Sequence, residues 1–350
     1  MIDIFHTKVD NQEMIFIMFE KYFLTGASGF LGKEILKRLK ELNAEIYALI
    51  LPNEAKAFDS DGITVIPGDV RKIEEVEKFL EKADKNSCVI HSAGIISIAS
   101  KPSPALFEVN VTGTENISFV CLSKHIGKLV YISSVHALPD KRTNGGVCTK
   151  NKLDVTRAEG DYGKSKAMAT NVVLDAVEKG LNATIVMPSG IIGPNDRADG
   201  NIGFMLRSFI KGKLPLAIKG GYDFVDVRDV AAGILAAAEK GRKGKCYVLS
   251  GHYASIKDVL DTVRPLALVK KEVHYLPIKI AKCIAPIYEK YSIKKKLPLI
   301  FTPYSVAVLA SNGNFSNADA KKELGFSPRD LSETLYDTVE WIKYTFKNGK

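Results

Sequence analysis

The segment Thr25-Gly26-Ala27-Ser28-Gly29-Phe30-Leu31-Gly32 constrains this chain more than any other. It follows the apolar run 21–25 and opens a stretch in which Leu31, Ile35, Leu39 and Leu42 fall at helical spacing. A strand that turns through glycines into a helix leaves free backbone N–H groups and the positive end of the helix dipole at the turn. That place suits a pyrophosphate. A glycine-rich turn can also be a plain strand-to-helix connection, so its context decides.

The context is a series of short apolar runs alternating with amphipathic stretches. Residues 45–51, 64–67, 88–91, 128–133 and 183–187 read as further strands, with helices over 74–82, 105–124 and 162–179. Crossover units of this size predict an α/β chain: a Rossmann-type doubly wound parallel sheet with a smaller C-terminal substrate lobe. Residues 1–20 read as an N-terminal extension, 21–187 as the dinucleotide-binding core, and 188–350 mainly as the lobe, with 245–249 returning to the sheet. Helices near 202–212 and 227–240, a strand at 224–225 and a helical tail from about 254 belong to that second part. The polar stretch 139–161 reads as a substrate loop.

Composition narrows the classes. With 46% hydrophobic and 25% charged residues the chain buries a sizeable core. A formal charge of +9 raises the question of polyanions, yet the only dense basic run is Lys294-Lys295-Lys296. No basic stripe is interleaved with aromatics, so neither nucleic acid nor membrane is expected as a partner. Five cysteines without a CxxC pair suit reduced thiols in the cytoplasm, and six histidines show no metal-ligand spacing. No apolar run approaches the ~20 residues of a membrane span. The run 14–19 is too short for a signal peptide.

Tyr162-Gly163-Lys164-Ser165-Lys166 places a phenol and an ammonium four residues apart, on one helix face. A free phenol, with a pKa of about 10, exchanges protons poorly near neutrality, and a neighbouring cation lowers that value. Tyr253/Lys257, Tyr275/Lys279 and Tyr291/Lys295 share the spacing, so spacing alone selects nothing. Position does. Tyr162 follows a strand ending in Ser133-Ser134, at the carboxyl edge of the sheet, where doubly wound folds bind ligands. A serine there can hold a carbonyl oxygen as negative charge develops on it, or merely cap a turn.

Taken in order, these segments resemble the extended short-chain dehydrogenases/reductases, the NAD-dependent epimerase/dehydratase family, over about residues 21–240. The turn is spaced GxxGxxG, as theirs is. Gly68-Asp69-Val70, His91-Ser92-Ala93-Gly94, Asn110-Val111-Thr112-Gly113-Thr114, Tyr131-Ile132-Ser133-Ser134, Tyr162 with Lys166, and Pro188-Ser189-Gly190-Ile191-Ile192-Gly193-Pro194 match their motifs. Residues 315–326 are similar to their C-terminal signature. The resemblance implies an enzyme that uses NADP or NAD. It assigns the cofactor to Gly26, Ser28, Gly29, Phe30, Leu31, Gly32, Leu51, Asp69, Val70, Ala93, Gly94, Tyr162, Lys166, Pro188 and Ser189. It makes Ser134, Tyr162 and Lys166 catalytic, with Asn110 either supporting a proton relay or bending its helix, and His91 structural. A homodimer through sheet-flanking helices is an expectation of the resemblance alone.

The family's reactions differ in residues that can be compared. Epimerases carry Tyr-Phe-Asn before the Gly-Pro turn and an arginine that clamps a diphosphate; here Val186-Met187-Pro188-Ser189 and Tyr222 stand instead. Dehydratases add Asp-Glu after the serine, where this chain has Val135-His136. These differences favour the dihydroflavonol 4-reductase-like branch: hydride transfer between nicotinamide and a carbonyl or alcohol small molecule. A sugar-nucleotide epimerase/dehydratase is the first alternative. A non-catalytic dinucleotide sensor is the second, though such relatives usually lack Tyr or Lys. His136 is a candidate substrate contact or an ordinary loop histidine. The second strand ends Leu51-Pro52-Asn53, with no carboxylate before Glu54 and no arginine. Lys33 or Lys56 is left to meet a 2′-phosphate, which tips the expectation toward NADP.

Overall fold

The structure, a computed structural model, describes residues 19–101, 103–138, 152–196, 201–297, 299–311 and 313–348. The expected extension before residue 19 and most of the expected substrate loop, 139–151, lie outside them. Twelve strands are present among the described residues: β1 (Lys21–Thr25), β2 (Glu45–Ile50), β3 (Thr64–Pro67), β4 (Ser87–His91), β5 (Lys128–Ile132), β6 (Ala183–Pro188), β7 (Gly190–Ile192), β8 (Leu216–Ile218), β9 (Gly221–Asp226), β10 (Cys246–Leu249), β11 (His252–Ser255) and β12 (His274–Leu276).

Seven of them form one sheet in the order β10-β6-β5-β4-β1-β2-β3, with every pair parallel. This is the doubly wound α/β sheet, and 245–249 does return to it as β10. The chain winds one way from β1 to β3 and the other way from β4 onward. A crevice therefore opens at the carboxyl ends of β1 and β4, where Thr25 pairs in register with His91. Alternate residues serve opposite faces. Phe23, Tyr47, Val89, Leu129 and Tyr131 pack under the helices Gly113–Ser123 and Gly160–Glu178. Leu24, Ala48, Ile90 and Val130 pack under Phe30–Leu39 and Val227–Lys240. Burial on both faces is why these strands read as continuous apolar runs.

One expected element differs. The helix predicted over 105–124 is broken into Pro104–Phe107, a π turn at Glu108–Thr112 and Gly113–Ser123. The Thr114 hydroxyl donates to the Asn110 carbonyl at 2.7 Å, within the widened turn. Across the break the buried Leu106 and Val111 stand five residues apart, where a regular α-helix repeats at three or four.

Beyond β6, β7 pairs with β9 in parallel, β9 with β11 antiparallel, and β8 with β12 in parallel. Asp226 ends β9 and caps the next helix by accepting from the Arg228 N–H at 2.8 Å. No described helix is long and apolar enough to cross a membrane.

Charge then ties the C-terminal helix Leu331–Lys347 to this junction. Arg228 forks onto Asp226 at 2.9 and 2.6 Å and reaches Asp337 at 2.6 Å, while Arg329 grips Asp229 at 2.8 Å. Burial alone would raise the Asp226 pKa, and the Arg228 fork more than offsets it, leaving the carboxyl below its ordinary range. Stability from this group is present above the ordinary aspartate range and is lost as pH falls through the lowered value. Arg228→Ala removes the fork from a fully buried carboxylate and leaves it Arg329 at 3.6 Å. Urea denaturation is expected to show a loss of about 3 kcal/mol at neutral pH, and a loss below about 1 kcal/mol would refute the pairing as a structural tie.

Candidate active site

The glycine turn is built for close approach. Gly26 has φ +72°, and a Cβ there would sit 2.7 Å from the Ala93 nitrogen. A Cβ on Gly32 would fall 2.0 Å from the Gly26 carbonyl oxygen. Bare backbone at both positions lets the Phe30–Leu39 helix start directly against the ends of β1 and β4. Gly29 caps it without a side-chain bond, and no acidic residue stands in its first turn. Phe30 and Leu31 are half-buried there. An open N-terminus with no carboxylate in the helix's own first turn fits a pyrophosphate.

Behind the turn lies a hydrogen-bonded row. The Ala93 N–H donates to Thr25 Oγ1 at 3.1 Å, and Thr25 Oγ1 lies 2.7 Å from His91 Nδ1. His91 Nε2 lies 3.1 Å from Thr114 Oγ1, whose proton goes to the Asn110 carbonyl. That leaves Nε2 as the donor and Nδ1 as the acceptor from the Thr25 hydroxyl. Burial, reinforced by the Lys166 charge, pushes the imidazole down to about 3, so His91 is a neutral structural link. Asn110 continues the row. Its Oδ1 accepts from the Ile95 N–H at 2.8 Å, and its Nδ2 donates to the Ile95 carbonyl at 3.0 Å and Ser165 Oγ at 2.9 Å. Both of its amide protons are thereby engaged, so its side chain holds the 93–95 segment against the helix of Tyr162.

Three of the sequence-predicted residues converge on the end of β5. Ser134 begins a short turn, Val135–Ala137, and accepts from the His136 N–H at 3.2 Å, with its hydroxyl close enough to the Tyr162 phenol to act on its titration. Ser133 is instead turned inward, 2.7 Å from Thr170 Oγ1. One helical turn beyond Tyr162, Lys166 Nζ donates to the Ile132 carbonyl at 2.8 Å and lies 5.1 Å from the Tyr131 ring centroid. A Cβ on Gly94 would approach Nζ to 3.4 Å, so the 93–95 backbone passes directly over the ammonium. Burial raises the Tyr162 phenol to about 12, with the Ser134 hydroxyl opposing it, and burial lowers Lys166 to about 8. Of the four YxxxK pairs, Tyr253 and Tyr291 are about half exposed at 48% and 52%. Lys279 is exposed as well, so Tyr162/Lys166 is the pair with both members buried.

Of the opposite wall, the sequence offered His136 as a candidate contact and missed its two partners. His136 Nε2 lies 2.9 Å from the Tyr222 hydroxyl and Nδ1 lies 2.8 Å from the Tyr304 hydroxyl. The imidazole packs 5.6 Å from the Tyr162 ring and stacks on Tyr222. Tyr222 entered the sequence reading only as the residue replacing an arginine. Tyr304, 168 positions from His136, carries no local signal. Gly160 makes room for it, since a Cβ there would touch the Tyr304 ring at 2.5 Å.

At the other end of the crevice, Leu51 is 42% exposed after β2, and the Ser28 hydroxyl donates to Glu54 at 2.6 Å. Asp69 is buried and forked by Arg71 at 2.6–3.1 Å; the guanidinium holds its carboxyl below the ordinary range. Val70 is buried beside it, and its carbonyl accepts from Asn116 at 2.9 Å. Pro188 ends β6. The Ser189 hydroxyl donates to Asp223, a carboxyl that burial pushes up to about 6.

Known proteins agree with this layout. The family model for the NAD dependent epimerase/dehydratase family matches residues 22–250. Sterol demethylase protein B of Methylococcus capsulatus is 27% identical over 327 residues, covering 91% of this chain and 97% of that protein. A Synechocystis protein named "Putative dihydroflavonol 4-reductase" is 28% identical over 344 residues, 93% and 95% of the two chains. The UDP-glucuronic acid 4-epimerase of Bacillus cereus, solved in complex with NAD, shares the fold with a TM-score of 0.70 at 17% identity, over 93% and 99% of the chains. The turn without Cβ atoms, the uncapped helix start and the buried Tyr–Lys pair are the parts such a cofactor requires, and this chain is therefore a member of the NAD-dependent epimerase/dehydratase family, an extended short-chain dehydrogenase/reductase.

Proposed function

We propose that the enzyme transfers a hydride between nicotinamide and the carbonyl carbon of an apolar ketone or alcohol, in the manner of the dihydroflavonol-reductase-like branch. The observation that carries this is the Ser134–Tyr162 hydroxyl pair facing the His136–Tyr222–Tyr304 wall. A sugar diphosphate asks for cationic forks, whereas this wall offers aromatic faces and hydroxyls. The sterol and flavonol names of two relatives agree with an apolar, ring-shaped substrate.

The bound nicotinamide supplies or takes the hydride; the protein's residues govern the proton and the oxygen. Ser134 would hold the substrate oxygen by a hydrogen bond that strengthens as charge grows on it. Tyr162, raised to about 12, keeps its proton through the neutral range and is poised to give it, which favours carbonyl reduction. Lys166 keeps its ammonium below about 8 and loses it above. Glu54 is the reason to choose NAD over the NADP that the sequence favoured. Its carboxylate sits on the turn serine at the end of β2, where it would bond a ribose hydroxyl and repel a 2′-phosphate. Five cysteines without a CxxC pair suit a cytoplasmic setting.

Three outcomes are expected. Tyr162→Phe lowers kcat for NADH-dependent reduction of an apolar ketone about a thousandfold while calorimetry gives unchanged NADH affinity; full activity in this variant, or tight UDP-sugar binding by the wild type, defeats the proposal. The rate of carbonyl reduction declines as pH rises through about 8, because the Lys166 ammonium is lost. A flat profile through that range argues against its role, and Lys166→Met should abolish the step. Glu54→Gln raises kcat/KM for NADPH relative to NADH by about tenfold, the value of roughly one charge-assisted contact. An unchanged ratio removes Glu54 from cofactor choice.

A further inference from the structure

The helix Ile278–Lys295 turns two different faces to its surroundings. Ala281, Ala285, Glu289 and Ser292 are buried against the protein. Away from it, Ile280, Ile284, Ile287 and Tyr291 recur at intervals of four, three and four, 48%, 40%, 70% and 52% exposed. Four large apolar side chains on one outward stripe are not accounted for by folding. Ile293 in the last turn and Leu297 just past the helix end add to the exposed apolar surface.

The charge around the stripe has one sign. Lys279, Lys282, Lys290, Lys294, Lys295 and Lys296 are all exposed, and the helix's single carboxylate, Glu289, is turned inward. There it accepts from the Ser100 N–H and hydroxyl, both at 2.6 Å. A second copy of this face would bring like charges together, so self-pairing is opposed by the same lysines that would attract an anionic surface. The inner side of the helix is tied to the segment that borders the candidate active site. Ser100 closes the segment that Asn110 holds at Ile95, Thr302 Oγ1 donates to the Ile98 carbonyl at 2.7 Å, and Tyr304 of the next helix hydrogen-bonds His136. Ile96, within that segment, is 73% exposed.

We propose that this helix is an interfacial anchor, which lays the Ile280–Tyr291 stripe into the headgroup boundary of an anionic bilayer and sets its lysines among the lipid charges. An apolar outward face bordered by lysines, on a helix too polar to cross the membrane, is the pattern of a helix that lies in the interface plane. The enzyme then works at the lipid surface, with the mouth of its site beside the bilayer. This reverses the expectation from the sequence that no membrane takes part.

The test is sedimentation of the full chain with vesicles of phosphatidylglycerol mixed with phosphatidylcholine, against phosphatidylcholine alone. Sedimentation with the anionic vesicles that weakens with salt is expected. Each of Lys290→Gln and Lys294→Gln should weaken it by about fivefold, and Ile284→Asp with Ile287→Asp should abolish it. These side chains point to solvent and lie outside the catalytic group, so reduction of a water-soluble ketone should be unchanged in every variant. A chain that stays in the supernatant at low salt overturns the proposal. So does binding undiminished by the isoleucine substitutions, which would be charge alone. A dimer in sedimentation velocity that Ile287→Asp dissolves would show a second copy covering the face, and would also overturn it.

Discussion

A side-chain carbon at position 32 would overlap the Gly26 carbonyl oxygen, and one at position 26 would overlap the backbone at Ala93. Everything at the carboxyl edge of the sheet depends on the room these two missing carbons leave. They let the first helix begin against the backbone of two neighbouring strands, so its N–H groups and dipole face the crevice. Because β1 and β4 are the strands at which the winding reverses, that crevice is not covered by a crossover helix. The fold thus opens a polar slot beside a sheet that is otherwise buried on both faces.

The slot is held in register by a row of small polar groups, Thr25, His91, Thr114 and Asn110. Each bonds the next, and the row ends on the segment 93–95 that passes over Lys166. Removing water from this row makes its hydrogen bonds directional and costly to leave unmade. The same dryness acts on the titrating groups. It pushes the Tyr162 phenol up and the Lys166 ammonium down, and His91 is left neutral as a strut. The proton is therefore held on the phenol through the neutral range.

The substrate side follows another logic. His136, Tyr222 and Tyr304 come from the turn after β5, from β9 and from a helix in the C-terminal part, and they meet around Tyr162. Rings supply area while both hydroxyls hydrogen-bond the imidazole, so the wall combines aromatic faces with tethered polar groups. The C-terminal part thereby closes the site with Tyr304 and presents the lysine-bordered apolar stripe just outside it.

Local chemistry was legible in the sequence. The glycine turn, six of the seven sheet strands at close to their observed bounds, the return of 245–249 and the choice of Tyr162 over three other YxxxK pairs all follow from turn residues, period and order along the chain. The π turn at Asn110 was not legible, because residues 112–116 carry no large apolar side chain and leave the helical period undefined there. Nor could the sequence place Glu54 beside the glycine turn. Glu54 lies three residues beyond the expected place, and only folding brings it to Ser28. Tyr222 and Tyr304 met His136 for the same reason: contacts across 86 and 168 residues are set by how packed elements sit against one another. The sequence by itself determined which residues can turn, cap and carry a proton, since those capacities belong to each side chain and its neighbours along the chain. Tertiary structure alone decided which of them share a wall, how dry that wall is and which face stays bare, since burial and proximity are properties of the packed whole.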